Sequence, residues 1–392
     1  MSNKPAEKTI ASVSLNQKAW RRLKRNKSAM FGLVVVLLSV VLSVFAYALA
    51  QDNSPSGDEQ ILQLKIHKPG FSIYILKQNK DIGETTGMIE GLMNGFRKSY
   101  TPIPVTEYHM EGDTLYYTEY RGKSFPTLAG RLSFNDVLGP ASANLSNEEK
   151  KKLIEKQQIE RRTFWLGSDK FGRDIFSRLL IGVRVSLSVG LISVGISLII
   201  GIFLGAMAGY FRGWVDEGIM WVINVFWSVP TLLLAMGLYI SAGSLIENKL
   251  VMIFIAVGLT MWVETARIVR GQFIVIREME YVSAAKSLGY SDLRIIFRHI
   301  VPNIMGPIIV VACANFAGAI LVESGLSFIG LGIQPPAPSW GSMLNEYRDF
   351  INTDNAYLAL FPGSAIMLLV LAFNLVGNGL RDALDVKGQS AD

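Results

Sequence analysis

Cysteine and histidine are scarce in this chain of 392 residues. Cys313 is its one cysteine, and the three histidines, His67, His109 and His299, lie far apart in the sequence. A single thiol excludes an internal disulfide, and scattered histidines lack the spacing of metal ligands. The sequence therefore predicts neither a disulfide-stabilised fold nor a metal site.

Motifs of catalysis are missing as well. The sequence has no H-E-x-x-H, no G-x-S-x-G and no nucleophile near a histidine. Gly122-Lys123-Ser124 resembles the end of a nucleotide-binding loop, but G-x-x-x-x-G-K-[ST] requires a glycine where the chain has Tyr117. We therefore predict that this chain is not an enzyme, with no catalytic residue and no cofactor of its own. An intramembrane enzyme is the alternative from a different class, and it would need paired catalytic groups at matching depth, which the apolar segments do not supply.

Charged residues are few, and apolar residues take their place. Charged side chains make up 18% of the chain and hydrophobic ones 50%, a balance that favours a membrane protein. Continuous apolar windows lie at residues 30–50, 182–210, 218–240, 251–269, 304–329 and 357–378. A helix needs about 20 residues to cross the hydrocarbon core of a bilayer. We therefore predict an all-α polytopic membrane protein with six transmembrane helices, one for each window.

The first apolar run, residues 30–50, is interpreted as a transmembrane anchor. It is longer than the roughly 7–15 apolar residues of a signal peptide, and a long basic arm precedes it. The stretch "YALAQD" at its end does resemble a cleavage site. We nevertheless expect this helix to be retained.

Basic residues predict the orientation, because Lys and Arg that flank a span stay cytoplasmic. The basic arm, residues 1–29, therefore places the N-terminus in the cytoplasm. Alternation of the spans then places residues 51–175 and 332–356 outside, and residues 271–302 and the tail 387–392 inside. The arm residues nearest the first span are Lys18, Arg21, Arg22, Lys24, Arg25 and Lys27.

The formal net charge of +6 follows from this topology. A nucleic-acid-binding protein would need a basic face on a soluble domain, and no such face is visible. We therefore expect contact with membrane lipid and none with nucleic acid.

Residues 51–163 form a predicted α+β insertion. "ILQLKIHKPGFSIYILK" and "TEYHMEGDTLYYTEYRG" each contain two β-rich runs around a turn, which is typical of a hairpin. "MIEGLMNGFRKSY" and "SNEEKKKLIEKQQIERRTF" predict helices, the second with Ser146 as its N-cap. The insertion either binds a partner or is an inert loop that tolerates variation.

Small and polar residues occur inside the predicted spans. Gly201, Gly205 and Gly209 recur every four residues and so leave one helix face open to close packing. Polar side chains in hydrocarbon are costly, so each faces another helix or a water-filled route. The candidates for a substrate pathway are Asn224, Asn315, Glu323 and Asn374, and for the three asparagines hydrogen bonding between helices is the alternative. For Glu264 and Glu323, a position near the end of a span is the alternative.

The basic stretch "EYVSAAKSLGYSDLRIIFRHIVPN" lies between two apolar windows. It predicts a short helix that Gly289 stops, then a second helix with Ser291 as cap that Pro302 ends. The adjacent Ala284 and Ala285 would leave a shallow place for another surface. A solvated interfacial helix is the alternative that the pattern alone favours.

The same stretch resembles the EAA loop of ABC importer permeases. The family pattern is E-A-A, three residues, Gly, and then Pro thirteen residues later, and the chain has Ser283-Ala284-Ala285, Gly289 and Pro302. Serine replaces the family's glutamate, and Glu280 lies one turn earlier.

More of the chain resembles one branch, the C-type permease subunits of dipeptide, oligopeptide and nickel importers. The resemblance covers residues 18–50 and 164–386. The segments that carry it are "WRRLKRNKSAMFG", "LGSDKFGRDIFSRLLIGVRVSLSVG", "GYFRGWVDEGIM", "ESGLSFIGLGIQPPAPSWGSML" and "LFPGSAIMLLVLAFNLVGNGLRDALD". An external insertion as long as residues 51–163 is unusual for the family.

The resemblance implies a type I ABC importer permease of the bacterial cytoplasmic (inner) membrane, with residues 164–386 as its core. Its partners would be a homologous permease subunit, two ABC ATPases that bind ATP and Mg, and an extracytoplasmic substrate-binding protein. In the family the loop, here residues 271–302, couples to the ATPase. The coupling residues would be Glu280, Ser283, Ala284, Ala285, Gly289 and Pro302. Peptide is the expected cargo, with nickel, glutathione or another small solute as alternatives.

Overall fold

The computed structural model describes residues 15–384, except residues 81–85, 124, 143, 244 and 245. The outer part of the basic arm and the predicted tail 387–392 lie outside the described residues, as does Ser124.

Long helices dominate both ends of the described chain, and short helices lie between them. The α-helices are α1 Leu15–Arg25, α2 Lys27–Val44, α3 Ala46–Leu49, α4 Met88–Asn94, α5 Phe134–Leu138, α6 Asn147–Leu153, α7 Ile175–Phe211, α8 Gly213–Trp227, α9 Thr231–Ala242, α10 Lys249–Ile276, α11 Glu280–Ser287, α12 Asp292–Ile295, α13 Met305–Phe328, α14 Trp340–Tyr347 and α15 Tyr357–Leu384. Five strands form one sheet: β1 Phe71–Asn79, β2 Tyr100–Glu111, β3 Thr114–Glu119, β4 Leu128–Ser133 and β5 Ile159–Phe164.

Among the described residues, five helical segments are long and apolar enough to cross a membrane. They are α2, α7, α10, the segment Asp292–Phe328 that ends in α13, and α15. The pair α8 and α9 becomes a sixth if it is one span, but it bends by 94°. The prediction of one continuous helix over 218–240 is therefore wrong. Pro230 precedes the first residue of α9, and a proline can neither donate a backbone hydrogen bond nor fit beneath the preceding turn.

Helices α7 and α10 approach each other along the predicted glycine face. A Cβ atom added at Gly201 would lie 2.5 Å from Cβ of Thr265, and one at Gly205 would lie 2.5 Å from the carbonyl oxygen of Ala266. At Gly209 the distance to Cβ of Phe273 would be 2.5 Å. Side chains at these three positions would hold the helices apart, so the packing prediction is confirmed.

The sheet region, residues 51–164, is an antiparallel sheet with strand order β4-β3-β2-β1-β5. The hairpin predicted around Gly112 is confirmed as β2 and β3, with Glu111 opposite Thr114. The hairpin predicted around Lys68-Pro69-Gly70 is wrong. Only the run after Gly70 is a strand, because the run before it forms a 3₁₀ turn over Leu62–Leu64 and lies outside the sheet.

The predicted helices of this region form in part. α4 lies within the first predicted segment. α6 begins after Ser146, whose hydroxyl accepts a hydrogen bond from the backbone N–H of Glu149 in a capping box, as predicted. α6 is followed by a π-helical turn, Ile154–Gln158, and the helix ends there because Ile159–Phe164 pairs with β1 as an edge strand. Phe164 packs with Ile73 and Ile75 of β1.

A buried network of charges ties the start of the sheet region to β5. Lys98 Nζ lies 2.9 Å from Asp52 Oδ1 and 2.7 Å from Glu59 Oε2, and Glu59 also pairs with Arg162 at 2.5 Å. Burial disfavours the charge on Asp52, but Lys98 and hydrogen bonds from neighbouring groups outweigh it, so the pKa of Asp52 lies below its ordinary value. Burial opposes the charge on Lys98 too, but the two carboxylates outweigh it and raise its pKa.

A second ionic cluster joins this region to the helices. Arg173, just before α7, pairs with Asp169, with Asp58 at 3.0 Å and with Glu346 of α14. Arg178 of α7 also pairs with Glu346, at 3.1 Å. The guanidinium of Arg173 is buried, so these contacts fix the sheet region to the ends of α7 and α14.

Candidate functional site

The 271–302 segment contains α11 and α12 with a sharp turn between them. Gly289 has φ +80°, a left-handed conformation that costs glycine little. Its N–H donates to the carbonyl of Lys286, and the N–H of Tyr290 donates to the carbonyl of Ala285. This pair of bonds is a Schellman motif, which ends a helix at a defined angle. Gly289 therefore terminates α11 as predicted.

After the turn the chain stays helical as far as α13. α12 starts after Ser291 and continues through a π-helical turn, Ile296–Ile300, and a 3₁₀ turn, Val301–Ile304. The prediction that Pro302 ends the second helix is wrong. Pro302 is in the first turn of the 3₁₀ segment, where a missing N–H is tolerated. The 271–302 segment is thus joined to α13 without a break.

One side of the segment is buried against the ends of α7 and α10. The cluster there contains Tyr210 of α7, Val269 and Phe273 of α10, Val282, Ala285, Ile295, Ile296 and Ile300. Ala285 is 3% exposed, whereas Ala284 is exposed. The two alanines therefore differ in role: Ala285 packs inward, and Ala284 alone is open to another surface.

Polar bonds reinforce the apolar packing. The hydroxyl of Tyr210 donates to Oδ1 of Asp292 at 2.5 Å, and Nη1 of Arg277 donates to the carbonyl of Tyr210. Arg212 pairs with Glu278 at 2.8 Å. The segment is thereby bonded to the end of α7, packed on α10 and continuous with α13.

The opposite side of the segment is exposed and partly apolar. Glu280, Ser283 and Ala284 lie open on α11. Leu288 is 72%, Leu293 67% and Phe297 65% exposed. The two residues after the turn, Leu293 and Phe297, are four positions apart and so share one helix face. The sequence prediction did not include them, although the spacing of two large apolar residues among arginines is a detectable signal.

The predicted pathway residues do not converge on one place. Asn315 is 2% exposed, and its Nδ2 lies 3.1 Å from both Ser197 Oγ and Thr265 Oγ1, so it links α13 to α7 and α10. Glu323 is fully buried and accepts hydrogen bonds from Ser327 and from Ser339, the N-cap of α14. Asn224 on α8 and Asn374 on α15 are exposed. For Asn315, the alternative of hydrogen bonding between helices is the one that its contacts fit.

A cavity of about 480 Å³ opens beside Asn315 at the bend between α8 and α9. Its walls come from α8, α9, α10 and α13 and include Trp227, Thr231, Glu264 and Arg267. No group of three or more His, Cys, Asp or Glu side chains within the described ranges is placed to hold a metal ion.

Two sequence families match the chain. Residues 201–387 match the family described as binding-protein-dependent transport system inner membrane component. Residues 14–69 match the N-terminal TM domain of oligopeptide transport permease C. The first match contains the whole 271–302 segment, and the second contains α1, α2 and the beginning of the sheet region.

Individual proteins and one solved structure are similar to the chain. The glutathione transport system permease protein GsiD of Pectobacterium atrosepticum is 44% identical over 227 residues, which are 58% of this chain and 73% of that protein. The dipeptide transport system permease protein DppC of Alkalihalophilus pseudofirmus is 45% identical over 226 residues, again 58% and 73%. An inward-facing structure of the MetNI methionine ABC transporter has a TM-score of 0.44 and 15% identity, over 52% of this chain and 95% of that one. Because relatives this similar match over most of their length, the chain belongs to the inner-membrane permeases of ABC importers, in the dipeptide and oligopeptide transporter family.

Proposed function

We propose that the chain forms half of a peptide-translocation pathway and couples to a cytoplasmic ATPase through the 271–302 segment. The exposed apolar side chains of the segment carry this proposal: Leu288 at the end of α11, and Leu293 and Phe297 after the turn. An apolar face of this kind on a water-exposed segment favours burial in an interface with another protein. Ala284 lies on the same segment and adds a place where a second surface approaches closely. Glu280 and Ser283 contribute polar contacts at its edge.

The contacts of the segment support a mechanical role. Movement of α11 and α12 would act on α7 through Tyr210, on α10 through the cluster around Phe273, and on α13 through the continuous chain. ATP and Mg bind the partner ATPases. When the two ATPases close on each other, they favour one arrangement of these helices over another. Transport is then a population shift between inward and outward access, driven by different contacts in the two states.

The proposed topology follows the basic arm. The N-terminus, the C-terminus and residues 271–302 are cytoplasmic, and the sheet region is outside. The pair α8 and α9 is one broken span, which gives six spans in all. Residues 51–163 are then an extracytoplasmic insertion and residues 164–386 the permease core, which pairs with a homologous permease subunit.

The proposed cargo is a peptide. The names of the two relatives, a glutathione and a dipeptide permease, support small peptides over nickel. In this proposal an extracytoplasmic binding protein delivers the peptide, and the sheet region is positioned to contribute to its docking. Arg173 pairs with both Asp58 of that region and Glu346 of α14, and this attachment supports a docking role over a passive loop.

Topology and transport are tested separately. In a Cys313→Ala background, Glu90→Cys and Lys286→Cys are labelled in intact cells with a membrane-impermeant thiol reagent; both positions are exposed. We expect labelling of Glu90→Cys only, and labelling of Lys286→Cys alone would contradict the topology. The complete complex in liposomes should accumulate alanyl-alanine only with ATP and the binding protein. ATP hydrolysis by the purified chain alone would favour a self-contained enzyme.

A further inference from the structure

Two opposite charges line the cavity at the bend between α8 and α9, the exposed Glu264 and the partly buried Arg267. Glu264 and Arg267 lie on α10, three residues apart, and both line the cavity. Residues at this spacing lie on one face of a helix. Ion pairs in the described part of the chain include none between Glu264 and Arg267, although their sequence spacing permits one. Both residues lie on α10, which is long and apolar enough to cross a membrane, and charged residues within such helices mark transport routes.

Arg267 is held in place but not satisfied. Its guanidinium carbon lies 3.6 Å from the ring centroid of Trp227, which fixes the guanidinium plane by a cation–π contact. Its Nη1 atom is buried and has no hydrogen-bond partner among the described residues. A fixed guanidinium with a free donor is suited to bind a carboxylate. The next arginine on the helix, Arg270, differs, because it forms a two-point pair with Asp216 at 2.5 and 2.6 Å.

The bend supplies further donors at the same place. α9 begins at Thr231, which lines the cavity, and no side chain of the described residues caps its first turn. The free N–H groups at a helix start favour an anion. Irregular backbone at membrane depth is tolerated where it lines a cavity, and broken helices form the substrate sites of other transporters.

We infer that this cavity is a substrate station for a peptide with free termini, in which Arg267 and the start of α9 bind the carboxylate and Glu264 binds the ammonium group. The inference rests on the proposed function, because it assigns the substrate contact within the same pathway. Asn315 also lines the cavity, and its side-chain hydrogen bonds link α13 to α7 and α10. It is a positioning residue here.

The first test measures peptide uptake for each mole of ATP hydrolysed by the complete complex in liposomes, with alanyl-alanine as the probe. Arg267→Gln and Glu264→Gln should each lower this ratio by about tenfold, as expected when a charge-assisted hydrogen bond is lost. Arg267→Lys keeps a cation but loses the stacked guanidinium, so it should retain more uptake than Arg267→Gln but less than the unmodified complex. Glu217→Gln is the matched control, since Glu217 is exposed on α8 and away from the cavity lining.

The second test detects occupancy directly. In the Cys313→Ala background, Thr231→Cys introduces a thiol into the cavity wall. Alanyl-alanine with its binding protein should slow reaction of this thiol with a small charged reagent by about tenfold, and Arg267→Gln should abolish the protection. If the thiol reacts at the same rate with and without peptide, the peptide does not occupy the cavity, and the inference is overturned.

The two levels of the proposal fail in different ways. No uptake of alanyl-alanine by the unmodified complex would overturn the peptide function and the station together. Normal uptake by the unmodified complex, with equal ratios for Arg267→Gln and Glu217→Gln, would overturn the station alone.

Discussion

The hydroxyl of Tyr210, at the end of α7, donates a 2.5 Å hydrogen bond to the carboxylate of Asp292, the first residue of α12. This bond joins the longest helix of the chain directly to the 271–302 segment. A hydrogen bond to a charged group contributes about 1.5–3 kcal/mol. We therefore treat it as one link by which movement of the segment reaches the membrane helices.

Removing this link should weaken coupling. We expect Tyr210→Phe to lower peptide-stimulated ATP hydrolysis and uptake about tenfold, since about 1.4 kcal/mol corresponds to a factor of ten. The measurement is ATPase activity and uptake of the complex in liposomes. Tyr239→Phe, at another buried tyrosine in α9, is the matched control and should leave both rates near those of the unmodified complex. Equal rates for the two variants would refute a role for the Tyr210–Asp292 bond.

A charge on the exposed side of α11 should block the proposed contact with the ATPase. Ala284→Asp introduces a hydrated carboxylate that can be buried only at a cost of several kcal/mol. Co-purification of the ATPase with the permease should fall in this variant. Lys286→Gln changes a neighbouring exposed residue and should matter far less. Full retention of the ATPase by Ala284→Asp would show that this side of α11 lies outside the interface.

The contact between α7 and α10 should tolerate no side chain at Gly205. A Cβ there would lie 2.5 Å from a backbone oxygen, whereas a Cβ at Gly195 on the same helix would have no atom of the described residues within 4 Å. Gly205→Ala should therefore destabilise the chain by about 1–3 kcal/mol, and Gly195→Ala should not destabilise it. Thermal unfolding of the two variants in detergent measures the difference. A lower melting temperature for Gly195→Ala than for Gly205→Ala would contradict the packing.

The buried pair of Lys98 and Asp52 predicts a pH dependence. The pKa of Asp52 is lowered, so its stabilisation is present above its ordinary pKa of 3.8 and is lost as the pH falls through the folded value. The pKa of Lys98 is raised above 10.5, so its contribution is present below that pH and is lost as the pH rises through the folded value. The pair should therefore stabilise the sheet region throughout the neutral range.

Lys98→Met should cost about 3–5 kcal/mol at neutral pH, because it leaves Asp52 buried without its cation. The stability lost in Lys98→Met should shrink as the pH falls towards 3.8, because the carboxylate of Asp52 is then protonated more readily. Pulse proteolysis of the sheet region in the full chain measures both effects. The control is Lys77→Met, which removes the partner of Glu160. That ion pair is more exposed than the pair of Lys98 and Asp52, so its loss should cost only about 0–1 kcal/mol. Equal losses for the two variants would contradict the burial argument.

Local chemistry could be predicted from the sequence where one residue type determines the backbone. Gly289 ends α11, Ser146 caps α6, and the glycine face of α7 meets α10, all as predicted. Each depends on neighbours a few residues away or on the size of a single side chain. Such features need no knowledge of the tertiary structure.

The errors occur where a distant partner or an irregular helical turn determines the structure. Ile159–Phe164 looks helical as a continuation of α6 but is a strand because β1 offers it hydrogen bonds. Pro302 breaks a regular helix, but it fits the 3₁₀ turn that leads into α13. Hydropathy averaged over the window 218–240 does not reveal the bend between α8 and α9. The stacking of Arg267 on Trp227, which lies at that bend, could therefore not be predicted either.

The central claim is that the 271–302 segment transmits the action of the ATPase to the membrane helices, and Gly289→Val tests it most directly. A β-branched residue at φ +80° is strained by roughly 1–3 kcal/mol. In the part of the chain that the structure describes, nothing lies within 4 Å of a Cβ placed at residue 289, so the strain acts on the turn and not on packing. The measurement is peptide-stimulated ATP hydrolysis and uptake by the assembled complex in liposomes. We predict that Gly289→Val complexes assemble and bind the loaded binding protein, but that stimulation and uptake fall at least about tenfold. Assembled Gly289→Val complexes with the rates of the unmodified protein would contradict the account.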